Sequence, residues 1–194
     1  MADPDDPKPR WRSPLVYTIA LVVALATGAT AVFLTGSSNR EDDRAAIVAY
    51  ERSVLPAVRE AGRIVQQEMK PSLREIVEGT ITGQQLLDRT GAWQRVFKRV
   101  RDDLLALDPP ALLGDIEGGW DAAIGAYLIT VDAFQTVGRA DPGTLSAAVD
   151  QAVTVAENAD KLFDRVAGLI QFHRRRLGLG ASQNLPDPSP SPAG

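Results

Sequence analysis

The 194-residue chain has no cysteine and only one histidine, His173. Without cysteine there is no disulfide framework, thiolate zinc site, iron–sulfur cluster, cysteine nucleophile or lipidated lipoprotein N-terminus. The redox compartment stays open, because a domain with an adequate core needs no covalent staples. A single imidazole is too few for the paired Glu-x-x-His motifs of a di-iron bundle. At a predicted helix end it also gives no credible Ser-His-Asp arrangement. Haem ligation by His173 and Met69 has no supporting motif. No glycine-rich phosphate loop follows a strand, and Gly118 and Gly119 fall inside a helical pattern. Positive charge is in short supply as well. The formal net charge is −4 and the pI is near 5.1, which argues against a nucleic-acid binder. These absences predict a protein that is not an enzyme, with no catalytic residue, cofactor or metal site.

Charge is missing altogether from residues 15–34, LVYTIALVVALATGATAVFL. About 20 such residues make a helix of roughly 30 Å, the thickness of a hydrocarbon core. Pro14 suits a first helical turn, and Trp11 and Tyr17 flank the start where amphipathic rings favour the interface. The expectation is a single-pass transmembrane helix over 14–35. Lys8, Arg10 and Arg12 precede the span, and Arg40 and Arg44 follow it. The short arm 1–13 is therefore expected in the cytoplasm and the long C-terminal part outside it. The alternative is a cleaved signal peptide and a secreted product, since Ala29-Thr30-Ala31 is an A-x-A site after an apolar run. Ala20, Ala24 and Gly28 share one face at four-residue spacing, a pattern that would let two spans pair as a homodimer.

After a polar linker at 36–40, hydrophobic spacing predicts four amphipathic helices between 41 and 177. The first, about 41–78, carries Ile47, Tyr50, Val54, Val58, Ala61, Ile64, Val65, Met69, Leu73 and Ile76 on one face. Pro56 and Pro71 should kink it. Gly79 is a plausible C-cap, and Thr82 with Gln85 fits a capping box. The second helix repeats Leu86, Thr90, Trp93, Phe97, Val100, Leu104 and Leu107 as a bundle seam. Pro109-Pro110 ends it. The third aligns Leu113, Ile116, Trp120, Ala123, Tyr127, Val131 and Phe134. The fourth aligns Leu145, Val149, Ala152, Val155, Ala159, Leu162, Val166, Leu169 and Ile170. Trp93, Trp120, Tyr50 and Tyr127 sit at seam positions, where aromatics are more often core than pocket lining. The Gly-, Ser- and Pro-rich stretch 178–194 reads as a disordered tail.

Short connections make neighbouring helices antiparallel, so the fold expected is all-α, an up-down-up-down four-helix bundle behind a transmembrane helix. That topology places the start of the first helix and the end of the fourth at one pole. Arg174, Arg175 and Arg176 are then candidates for contact with lipid headgroups, which attract cations near an anionic surface. Arg95, Lys98, Arg99 and Arg101 read as a solvated face. So do Glu60, Glu68, Glu75, Glu157, Asp160 and Asp164.

The segments RIVQQEMKPSLREIVEG and AWQRVFKRVRDDLLALDPPALL, with the closing Ala-rich helix, resemble uncharacterised membrane-anchored or lipoprotein-like helical proteins of high-GC Gram-positive (actinobacterial) bacteria. The resemblance implies a location and a fold and brings no functional residue with it. The expected role is an extracytoplasmic module that binds the bilayer and another envelope protein or polymer, in interaction or scaffolding. The alternative is a ligand-sensing domain that signals through a partner.

Overall fold

A computed structural model describes the backbone of residues 14–185 and the side chains of residues 39–185. Every element among them is helical: α1 (Pro14–Arg63), a π-helical turn (Ile64–Met69), α2 (Lys70–Val77), α3 (Gly83–Leu105), a 3-10 turn (Ala111–Leu113), α4 (Ile116–Arg139) and α5 (Leu145–Arg176). Two compact units divide between Asp42 and Asp43. In the first, the backbone of α1 is helical from Pro14. The predicted membrane span falls on residues whose side chains lie outside the described ones. Among the described residues, no helix is long and apolar enough to cross a membrane. The linker expected at 36–40 is helical backbone within α1. Nothing local forbids this: no proline is present there, and Gly36 costs only about 1 kcal/mol relative to alanine.

In the second unit, four helical segments pack together, namely 43–77 (the end of α1, the π turn and α2), α3, α4 and α5. Pairings between side chains set the directions. Glu60, Glu68 and Glu75 meet Arg99, Trp93 and Arg89 in descending order on α3. Trp93 lies edge-on to Phe134 of α4, and Phe97 stacks on Tyr127. Trp120 and Tyr127 then meet Phe163 and Asp160 of α5. Glu51 and Lys70 meet Arg174 and Asp160, which closes the ring of neighbours. Each neighbour runs antiparallel to the last, as short connections demand.

The predicted seams are the core. Ile47, Val54, Ala61, Leu86, Phe97, Ile116, Trp120 and Val131 are all fully buried. Leu73, Leu107, Leu145, Val149 and Leu162 are partly buried against it, and Leu169, expected in the core, is 41% exposed. The buried stripe of α5 runs through Ala159, Phe163, Val166 and Ile170. At about 100° per residue, Leu169 is turned away from that stripe.

The two prolines act differently. Pro56 is accommodated inside α1. Ahead of Pro71 the helix widens to the π turn, where the Lys70 N–H reaches back to the Val65 carbonyl. A proline ring clashes with the carbonyl four residues before it, here that of Gln67. A wider turn relieves that clash without ending the helix. The expected capping box is present, with the Gln85 N–H donating to Thr82 Oγ1 at 3.2 Å and the Thr82 N–H to Gln85 Oε1 at 2.8 Å. Gly79, at φ +70°, closes α2. The Thr80 N–H returns to the Glu75 carbonyl and the Gly79 N–H to Ile76, a Schellman arrangement. The same geometry recurs at Gly178, where Leu179 donates to Arg174 and Gly178 to Arg175.

Candidate functional site

The last turn of α5 holds His173, Arg174, Arg175 and Arg176, where the negative end of the helix dipole favours cations. Consecutive residues on a helix point about 100° apart, so three arginines in a row meet three different environments. Arg174 faces inward. Its Nη1 donates to Glu51 Oε2 on α1, and the two side chains are only 13% and 8% exposed. Glu51 Oε1 also accepts from the Ser182 hydroxyl. Arg174 Nε donates to the Gly180 carbonyl at 3.3 Å. A guanidinium held this way is withdrawn from the surface, so Arg174 does not belong with the candidate headgroup contacts. Arg175 and Arg176 remain exposed. The same pole carries Arg44, whose Nε donates to the Leu177 carbonyl at 2.7 Å. The start of the bundle segment and the end of α5 therefore meet, as the topology required.

Beyond α5, residues 178–185 depart from the expectation of a disordered tail. Gln171 is fully buried and grips this segment with both ends of its amide. Its Nε2 donates to the carbonyls of Ser182 and Leu185 at 3.1 and 3.3 Å. Its Oε1 accepts from the Ser182 N–H at 2.8 Å. Leu185 is buried against the core. A buried amide on a helix is costly unless its donors and acceptors are matched. Here the returning backbone matches them, and all buried side-chain nitrogen and oxygen atoms among the described residues have partners.

A groove of about 440 Å³ runs beside this segment, lined among others by Gly62, Lys70, Tyr127, Asp160, Phe163 and Asp164. Tyr127 donates to Asp160 Oδ1 at 2.7 Å, and Lys70 Nζ lies 3.1 Å from Asp160 Oδ2. Burial, and then the hydrogen bond to Asp160, push the Tyr127 hydroxyl well above the ordinary tyrosine range. Burial, and then the neighbouring Asp160 charge, raise the Asp164 carboxyl above the usual carboxylate range. Tyr127 stays a neutral donor at physiological pH. The groove thus presents two carboxylates beside the Lys70 ammonium and the Arg59 guanidinium, over an aromatic floor.

The carboxylates expected on solvated faces form cross-helix pairs in several cases. Glu60 accepts from Arg99 at 2.9 Å, and Glu75 from Arg89 at 2.5 Å. Glu68 Oε2 accepts from Trp93 Nε1 at 2.7 Å, and Asp121, which the sequence did not single out, accepts from Arg101 at 2.6 Å. Glu51, Gln171 and Ser182 were not singled out from the sequence. Glu51 meets Arg174 and Ser182, and Gln171 meets Ser182, across more than ten residues, so no local spacing signals these contacts. The proposed dimer face, Ala20, Ala24 and Gly28, lies on side chains outside the described ones. Among the described residues, no three His, Asp or Glu side chains converge to hold a metal ion. No protein-family model, curated protein or solved structure matches the chain.

Proposed function

We propose that the chain is a single-pass membrane protein whose helical bundle works outside the cytoplasm as a non-enzymatic interaction or scaffolding module of the cell envelope. The observation that carries this reading is the pairing of an uncharged 15–34 stretch with a water-exposed four-helix body that begins within ten residues of it. An apolar run of that length is satisfied by lipid, whereas the bundle satisfies its own buried polar groups. The bilayer, and an envelope protein or polymer, are the partners that follow. The actinobacterial resemblance belongs to the same proposal. The test is extraction of cell membranes at alkaline pH. The full chain is expected to stay in the pellet and to be trimmed by protease added to intact cells. Recovery in the supernatant or in the culture medium would overturn the anchor and favour a secreted product.

A second reading is ligand binding by the bundle with signalling through a partner, favoured by the groove around Lys70, Tyr127, Asp160 and Asp164. Few convergent polar groups over an aromatic floor are the makings of a small-molecule site. A ligand that binds only the folded state raises its melting temperature. A screen of small amines and amino acids against the full chain in detergent would show such a shift, and Asp160→Asn should abolish it.

A further inference from the structure

The outward face of the C-terminal half of α5 combines features that the core does not use. Phe172 and Leu169 are exposed to 56% and 41%. Leu169 and Phe172 are three residues apart, so both lie on one side of the helix, turned away from the Val166 and Ile170 stripe. Lys161 and Arg165 on one flank and Arg176 on the other share that outward side. None of these three cations has a carboxylate partner among the described residues. By contrast, Glu60, Glu68 and Glu75 on the opposing pair of helices are taken up by Arg99, Arg63 and Arg89. The outward positions 161, 165, 169, 172 and 176 carry no acidic residue. Phe172 meets its neighbour His173 edge-on, with ring centroids 5.3 Å apart.

We infer that this face of α5 lies on an anionic phospholipid bilayer, with Leu169 and Phe172 at the headgroup boundary and Lys161, Arg165 and Arg176 on lipid phosphates. The inference rests on the membrane reading above and refines it. Contact runs along the side of α5 and is not confined to the pole where Arg174, Arg175 and Arg176 were expected to meet lipid. Charge complementarity selects the occupant. Basic residues interleaved with exposed Phe and Leu on one helix side are the pattern of an interfacial helix. A soluble polyanion would satisfy the three cations and leave both apolar side chains in water. A protein partner of similar charge would need an acidic face with its own apolar centre.

The absence of cysteine provides the test. The full chain carrying Phe172→Cys or Lys98→Cys, each a unique thiol, is reconstituted into nanodiscs of phosphatidylcholine alone or with phosphatidylglycerol. Reaction with a neutral polyethylene-glycol maleimide is then timed. Lys98 is exposed on the outer face of α3, diagonally across the bundle. Three cations at about 1 kcal/mol each correspond to a bias of about 100-fold toward an anionic surface. Labelling at position 172 should therefore slow by at least about ten-fold on anionic discs only. Position 98 should be unaffected. The additional triple substitution Lys161→Gln, Arg165→Gln and Arg176→Gln should restore the fast rate at position 172. Equal rates on both disc types, or protection that survives the triple substitution, would overturn the inference. Protection in lipid-free detergent that grows with protein concentration would also overturn it, by assigning the face to a second copy of the chain. A chain that leaves the discs in high salt overturns the anchor and not the α5 contact, which the lipid comparison at low salt still reads.

Discussion

Helix α5 is held by two seams built from different chemistry. Toward α4 the contact is mainly aromatic, with one hydrogen bond from Tyr127 to Asp160: Phe163 lies edge-on to Trp120 at 5.4 Å and to Tyr127 at 5.9 Å between ring centroids. Toward the 43–77 segment it is polar, through Glu51 with Arg174, Lys70 with Asp160 and Arg44 with the Leu177 carbonyl. The aromatic seam gains from area removed from water and tolerates small shifts. The polar seam gains little net energy over an apolar one, but it penalises any register that leaves a buried charge alone. One seam supplies cohesion, and the other fixes where α5 stops and how the following residues return.

That contrast is broken most severely at the aromatic seam. Trp120 is completely buried and donates to Tyr50 Oη at 3.2 Å, so Trp120→Ala should cost about 3–5 kcal/mol in urea unfolding. A loss below about 1 kcal/mol would mean that the seam is not cohesive in this sense.

At the polar seam, Arg174→Ala leaves Glu51 buried without its cation and should cost about 3 kcal/mol. The double variant Glu51→Leu, Arg174→Leu should recover most of that loss, because the net worth of the pair is small although breaking it is costly. If the double variant is as unstable as the single one, the pair contributes cohesion as well as register.

Glycines sharpen the comparison on a third seam. A Cβ at Gly83 would sit 2.2 Å from the Gly138 carbonyl, where α3 and α4 approach closely, whereas a Cβ at Gly62 meets nothing within 4 Å. Gly83→Ala should therefore destabilise by about 1–3 kcal/mol. Gly62→Ala should stabilise by up to about 1 kcal/mol. Thermal unfolding of the two variants should move in opposite directions.

The smallest effect belongs to the groove. The Asp164 carboxyl titrates above its ordinary range because burial, and then Asp160, disfavour its charge. A raised acid gives its relative stabilisation below the unfolded-state pKa and loses it as pH rises through the folded-state pKa. Asp164→Asn should therefore be more stable than the natural chain at pH 7, by less than about 1 kcal/mol for a solvent-screened group. The gain should fade as pH drops through the carboxylate range. An unchanged difference between pH 7 and acid would show that burial does not perturb this carboxyl.

The sequence made the aromatic seam legible and left the polar one largely unread. Steps of three and four from Leu86 to Leu104, and from Ile116 to Phe134, mark buried faces because helix geometry alone dictates them. Thr82 with Gln85 and Gly79 announce helix ends through contacts a few residues apart. Glu51 and Arg174 are separated by 123 residues, and Glu51 and Ser182 by 131. No local period encodes such a meeting, so Arg174 reads like its exposed neighbours. The π turn before Pro71 was legible as a disturbance and not as its form. Leu169 was missed for the opposite reason. An apolar residue near a seam is assigned to the core, and only the observed rotation of α5 shows that Leu169 faces out, as does Phe172, which the spacing had not placed.

The proposed placement, with residues 15–34 holding the bundle on the outer side of a membrane, is tested directly by a topology measurement. The full chain carrying Lys98→Cys as its only thiol is expressed in cells and treated with a membrane-impermeant maleimide before and after lysis. Full labelling of intact cells, with the labelled protein recovered in the membrane pellet, is the expected result. Labelling only after lysis, or a labelled product free in the medium, would contradict the claim.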